Sequence, residues 1–410
     1  MRKFFRRWVP SIISGASDND PAAIGTYAIS GAQFGFGQLW LVFFATPMLI
    51  AVQAMCARLG DVTRKGIMTI VKEHYTPVVA IIFSTILVTS NIATIGADLA
   101  GMADAMGLVT NTAFIWWVIP ISLFMWYIVV FQNYRILEKY LFFLTFIFLA
   151  YIVSAVLAKP NWLDVWRHLV LPSFLPSPAY FEIAVALLGS TITPYVFFWQ
   201  AKQGIEEHKS SRELTSEAKK EDATVAPGFI YANIISLFIM ISTAAVLHGK
   251  DGSVIVSAAQ AARAFEPLAG PLAKYLFAIG IIGAGLLAVP VIAASTAYVV
   301  AETFGWKESL SDKVNKAKGF YTVLTASILV GIGIAISGID PMQALLYSQV
   351  LTGILTPFLI ALILFMCNDK KIMGSYVNRW FDNLFGWTTV VVMILASVGL
   401  FWQLVSRIPS

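Results

Sequence analysis

Residues 18–21 read Asp-Asn-Asp-Pro inside an apolar run that begins near Pro10 and ends near residue 36. An ionised side chain at the centre of a bilayer costs on the order of 3 kcal/mol or more, so carboxylates at this depth imply a wet or paired site. Pro21 lacks a backbone donor and crowds the preceding turn, so the helix is expected to break there. Gly15 and Gly25 are expected to bracket the break with permissive backbone. A second interruption lies at residues 186–204, ALLGSTITPYVFFWQAKQG, with Gly189, Ser190, Thr191, Thr193 and Pro194. Both breaks expose hard oxygens: backbone carbonyls, the Asp20 carboxylate, and the Ser190, Thr191 and Thr193 hydroxyls. Gln349, in the later run LLYSQVLTG, adds an amide oxygen. Such donors suit a hard divalent cation, Mg²⁺ first and then Mn²⁺ or Ca²⁺. Asp18 reads either as a carboxylate holding a metal-bound water or as a cap for amides freed by the break. Asn19 and Thr191 are grouped with it, around the ion rather than on it.

The elements that must position these residues are membrane helices. The 410-residue chain is 58% hydrophobic and only 12% charged, and its mean hydropathy is +0.76, outside the range of soluble domains. Apolar runs near the ~20 residues needed to cross a bilayer recur throughout. Eleven are expected, at about 10–36, 38–57, 77–104, 113–132, 136–158, 179–202, 226–248, 271–302, 319–337, 341–367 and 385–406. With the N-terminus in the cytoplasm, 22 of the 28 basic residues fall on inside segments. That is the positive-inside pattern, which an even number of spans would scramble, so the C-terminus is expected outside. The polar run 206–222 reads as a solvated cytoplasmic loop. The basic start, broken by Pro10 and lacking a small-residue cleavage site, reads as uncleaved, which suits a plasma membrane location. Cys56 and Cys367 suggest neither a thiolate cluster nor a disulfide framework. The net charge of +5 arises mostly in basic loops and implies no nucleic acid; no cofactor and no obligate protein partner are expected.

Spans 1 and 6 open two successive groups of five. Matched breaks at corresponding positions of two halves point to an inverted-repeat transporter with its substrate between them. The chain then reads as one transmembrane domain: one repeat at about 10–158, a second at about 179–367, and an extra helix at about 385–406. Asp98 and Asp104 are expected at the outer end of span 3, facing a vestibule, and the four histidines at loops or span ends. An intramembrane aspartyl protease would need two facing carboxylates, one in a Gly-x-Gly-Asp setting; Gly96-Ala97-Asp98 lacks the second glycine. An amino-acid symporter would offer a helix N-terminus to a substrate carboxylate, which Asp20 would repel.

At these residues the chain resembles the NRAMP family of divalent metal transporters. The register from Asp20-Pro21 through GAQFGFGQLW (31–40) matches that family's first helix, whose motif reads Asp-Pro-Gly-Asn. LFAIGIIGAG (276–285) and SQVL with TPF in span 10 match as well. The resemblance implies an all-α integral membrane protein of LeuT-like fold, with two five-helix inverted repeats plus an eleventh helix. It implies that Asp20 binds metal, that Ala23 stands where the family has asparagine, and that Thr193 replaces its coordinating methionine. Tyr195 and Gln200 take the place of its span-6 histidines, and Asn91 and Thr94 that of the span-3 acids thought to carry protons. These departures are similar to those of the prokaryotic NRAMP-related magnesium transporters. A thioether rewards soft transition metals, so exchanging it for a hydroxyl removes a filter against Mg²⁺. The expected activity is Mg²⁺ transport, with Mn²⁺ as a further substrate, uncoupled from protons; the alternative is a proton-coupled Mn²⁺/Fe²⁺ symporter.

Overall fold

The computed structural model describes residues 11–131, 145–206, 221–249, 255, 257–308, 310 and 314–406, nearly all helical. In chain order the helices are α1 (11–17), α2 (Pro21–Phe34), α3 (Leu39–Thr63), α4 (Ile67–His74), α5 (Pro77–Thr110), α6 (Ile115–Phe131), α7 (Leu149–Leu157) and α8 (Trp162–Val170). There follow α9 (Pro178–Thr191), α10 (Pro194–Glu206), α11 (Glu221–Leu247), α12 (Ala273–Phe304), α13 (Lys318–Ala335), α14 (Pro341–Asn368) and α15 (Trp380–Val405).

Four of these helices start by one rule. Asp20, Thr76, Ser177 and Asp340 each precede a proline and accept a backbone N–H from the first turn beyond it. An oxygen side chain at the N-cap satisfies an orphan amide, and proline at the first helical position presets φ without wasting a donor. Pro47, Pro120, Pro227, Pro290 and Pro357 instead lie inside helices that run on past them. Proline alone therefore does not break a helix here; the capping residue ahead of it marks the start.

Among the described residues, eight helices are long and apolar enough to cross a membrane, with α9 and α10 counted as one. The eleven expected spans are thus not all of that kind. Span 1 is divided between α1 and α2, and α6 has 17 residues. Span 5 (136–158) falls partly on residues 132–144, outside the described residues, as does 207–220 of the expected loop. After α7 the chain turns by 118° into the amphipathic α8. Large apolar side chains cover the outer faces, among them Trp116 and Phe124 on α6 and Leu395 and Trp402 on α15. In a bilayer such residues face lipid and need no polar partner.

The interior is built around the two broken spans. α2 packs on α9, α11 and α14, α9 packs along α14, and α5 runs against α12, α13 and α14. Small residues allow this closeness. A Cβ on Gly15 would stand 2.2 Å from the Gly228 carbonyl oxygen, and one on Gly189 would stand 2.3 Å from that of Gln349. Gly15 and Gly25 thus lie within helices and serve packing, α1 on α11 and α2 against Leu345, rather than loosening the break. Close backbone approach through small residues is the usual means of joining helices in lipid, where apolar burial supplies no drive.

Candidate metal site

The first break is residues 18–20, between α1 and α2. Asp20 has extended backbone, φ −68° and ψ 169°. Its Oδ1 accepts the Ala23 N–H at 2.6 Å, so Asp20 is both the cap of α2 and the expected counter-charge. Its Oδ2 is approached at 3.3 Å by the Tyr195 hydroxyl. That hydroxyl donates more closely to the Ser17 carbonyl, at 2.6 Å; one proton cannot serve both well, so Oδ2 stays largely available. Ala23 brings no side-chain donor. Its N–H is spent on Asp20, and its methyl leaves room where a ligand could have been.

The second break is Ile192–Thr193, between α9 and α10. The Thr193 hydroxyl donates to Asp18 Oδ1, tying the two breaks together. No backbone amide of the freed turn is bonded to Asp18 among the described residues, and the capping alternative for Asp18 falls to Asp20 instead. Asn19 is bound away from the pair: its Nδ2 donates to the Ala232 carbonyl at 3.1 Å and its Oδ1 accepts from Ser236 at 2.9 Å, both on α11. Thr191 donates to its own helix at Leu187 and meets the Tyr27 hydroxyl at 3.2 Å. Ser190 Oγ and both polar atoms of Gln349 are buried without a partner, and Gly189 sets these two stretches side by side.

Of the positions aligned with the proton path, Asn91, Thr94 and Tyr195 are buried and Gln200 is half-buried. Asn91 Nδ2 donates to Thr296 at 3.0 Å, leaving its Oδ1 without a partner. Thr94 donates to the Ser90 carbonyl one turn back. Gln200 Oε1 is buried and unpartnered. Tyr195 is further held by Ser295, which donates to its carbonyl at 2.9 Å.

Asp98 was misplaced by sequence reasoning. It does not face a vestibule: it is 0% exposed, and its Oδ1 accepts the Ala22 N–H at 3.0 Å. Asp20 and Asp98 thus take adjacent amides of the first turn of α2, whose positive dipole end favours both. The error came from the helix boundary. Read as ending near residue 104, α5 places Asp98 at the rim; ending at Thr110, it sets Asp98 about 18 Å inward at 1.5 Å per residue. The left-handed Asn111, φ 55°, which closes α5, was the available signal. Asp104 is partly exposed and accepts the Ala258 N–H. None of the ion pairs among the described residues involves Asp18, Asp20 or Asp98. Nor do three acidic, His or Cys side chains gather round one point among them; one oxygen each of Asp20 and Asp98 is spent on the adjacent amides of Ala23 and Ala22.

Residues 11–403 match the family model described as natural resistance-associated macrophage protein-like. The fold is similar to that of the Eremococcus coleocola manganese transporter in complex with an aromatic bis-isothiourea compound, with a TM-score of 0.78 at 19% identity over 98% of this chain and 88% of that one. A variant of the same transporter gives 0.80 at 18% identity, over 100% and 89%. MhsT in complex with L-phenylalanine gives 0.62 at 13%, over 97% and 99%. At such identities the structures establish a LeuT-like transporter fold, and the family model carries the rest. The chain belongs to the Nramp family and is a divalent metal transporter, not an enzyme.

Proposed function

We propose that this transporter carries Mg²⁺, with Mn²⁺ as a lesser substrate, as a partly hydrated ion by alternating access. One observation carries the reading. The side-chain atoms left without partners around the breaks include the acceptors Asp98 Oδ2, Ser190 Oγ and Gln349 Oε1, with Asn91 Oδ1 and Gln200 Oε1 about two turns away. Buried polar groups are rarely left unmade, so each such atom calls for an absent partner. A hydrated cation brings outward O–H groups that acceptors can hold. Mg²⁺ sheds its waters reluctantly and is usually held through one or two carboxylates with several waters retained. Ala23 and Thr193 fit the same reading: a methyl widens the site, and a hydroxyl replaces the soft ligand that would favour Mn²⁺.

Transport is read as uncoupled from protons. Asn91, Thr94, Tyr195 and Gln200 are side chains of types that do not titrate near neutral pH. The membrane potential alone supplies ~4.6 kcal/mol per 100 mV for a divalent cation, ~2.3 for each charge. The remaining proposals follow from the charge pattern and the paired breaks: a plasma membrane location, a cytoplasmic N-terminus, an external C-terminus, and repeats at about 10–158 and 179–367. The test is uptake of Mg²⁺ and Mn²⁺ into proteoliposomes, each competed by the other, with an internal pH dye and the potential clamped. Saturable Mg²⁺ uptake without acidification supports the reading. Mn²⁺ uptake that Mg²⁺ does not compete refutes the substrate. Acidification that tracks metal entry refutes uncoupling and points to Asp18, Asp20 and Asp98 as the relay.

A further inference from the structure

We infer that Asp98 is a specificity-determining residue of the metal path, its Oδ2 accepting a hydrogen bond from water carried on the ion at Asp20. Oδ1 is committed to Ala22, the second residue of α2, while Oδ2 is buried and has no partner. Asp20 takes the next amide of the same turn, Ala23, so the two carboxylates flank one helix N-terminus. A cap needs only one oxygen. A neutral asparagine would cap as well as an aspartate does, so capping does not account for a second, bare carboxylate oxygen in the interior. Leaving such an atom unpaired forfeits its solvation, most of all for a charged group, and a metal-bound water would recover that loss when the ion arrives. The arrangement favours ions that keep their water. Asp20 supplies direct charge, and Asp98 holds the shell beside it.

This rests on the hydrated-ion reading above, and the experiment separates the two. Asp98→Asn keeps an acceptor for Ala22 and removes the charge. In proteoliposomes its Mg²⁺ KM is expected to rise ~10–100-fold, the usual cost of losing a partner that orients a metal's ligands, with kcat changed less than threefold. The Mn²⁺ KM should rise by a smaller factor, because Mg²⁺ depends more on retained water. Stabilisation of the detergent-solubilised protein by added Mg²⁺ should weaken in parallel. Should Asp98→Asn fail to fold, Asp98→Ser, which also offers Ala22 an oxygen, is read the same way. An unchanged Mg²⁺ KM, or a fall in kcat alone that is equal for both ions, overturns the inference and leaves Asp98 as a cap. Should the wild-type protein carry Mn²⁺ and not Mg²⁺, the magnesium reading fails by itself. Asp98 is then judged on Mn²⁺: a rise in KM of tenfold or more upholds its role, and no rise refutes it.

Discussion

Asp20 holds two offices, and replacing it with asparagine should separate them. As the N-cap of α2 it accepts the Ala23 N–H at 2.6 Å, a contact worth ~1 kcal/mol when a capping residue is cut back to alanine. Asparagine caps comparably, so Asp20→Asn loses only the attraction of a negative charge to the helix N-terminus, ~0.3–1 kcal/mol. In a chain of this size that moves the melting temperature by no more than about 2–4 °C. As counter-charge, Asp20 is fully buried and paired with no basic side chain among the described residues. Removing the charge should weaken ion binding at least ~100-fold, or ~2.8 kcal/mol at 1.4 kcal/mol per factor of ten. Thermal unfolding in detergent and metal uptake at matched reconstitution read the two effects apart. The expected result is a folded Asp20→Asn protein with uptake reduced at least ~100-fold, and an Asp20→Ala protein that is inactive and destabilised by a further ~1 kcal/mol. Uptake by Asp20→Asn within about threefold of wild type would refute the reasoning, because the charge would then be dispensable.

Restoring the family residues in Ala23→Asn with Thr193→Met should shift competition from Mg²⁺ towards Mn²⁺ about tenfold, since a soft ligand enters and the Thr193–Asp18 bond is lost; unchanged competition would place selectivity elsewhere. Gly189→Ala should cost ~1–3 kcal/mol, because its methyl would meet the Gln349 carbonyl oxygen at 2.3 Å and backbone cannot rotate aside; a melting temperature equal to wild type would contradict the packing of α9 on α14. Single cysteines placed within 105–112 and within 206–222 should label from opposite sides of intact cells, with little background from Cys56 and Cys367, both buried. Labelling of both from one side would overturn the expected topology.

The membrane character, the position of both breaks and the candidacy of Asp20 as the counter-charge of an ion were legible in the residues themselves. Each rests on local chemistry: apolar runs long enough to cross lipid, a proline directly behind an oxygen-bearing residue at a helix start, and a carboxylate too costly to bury without cause. The repeated oxygen-then-proline pattern at Asp20, Thr76, Ser177 and Asp340 is equally local, since a cap concerns only the next few residues, yet the cap of the first break was sought at Asp18 and stands at Asp20. What only the tertiary structure decided depends on which helices meet. Asp98 lies 76 positions along the chain from the Ala22 amide it accepts, and no periodicity within α5 foretells that pairing. The same holds for the bond between Thr193 and Asp18, and for Asn19, whose polar ends are taken up by α11. Gly15 and Gly25 invited a reading as hinges because glycine's freedom is local, yet their work is to let helices touch, which needs a partner distant in sequence. A membrane helix reveals its length and its polar residues one by one. Which of those residues share a site is set by packing, where small residues let backbones close and the unpaired oxygens are left facing inward.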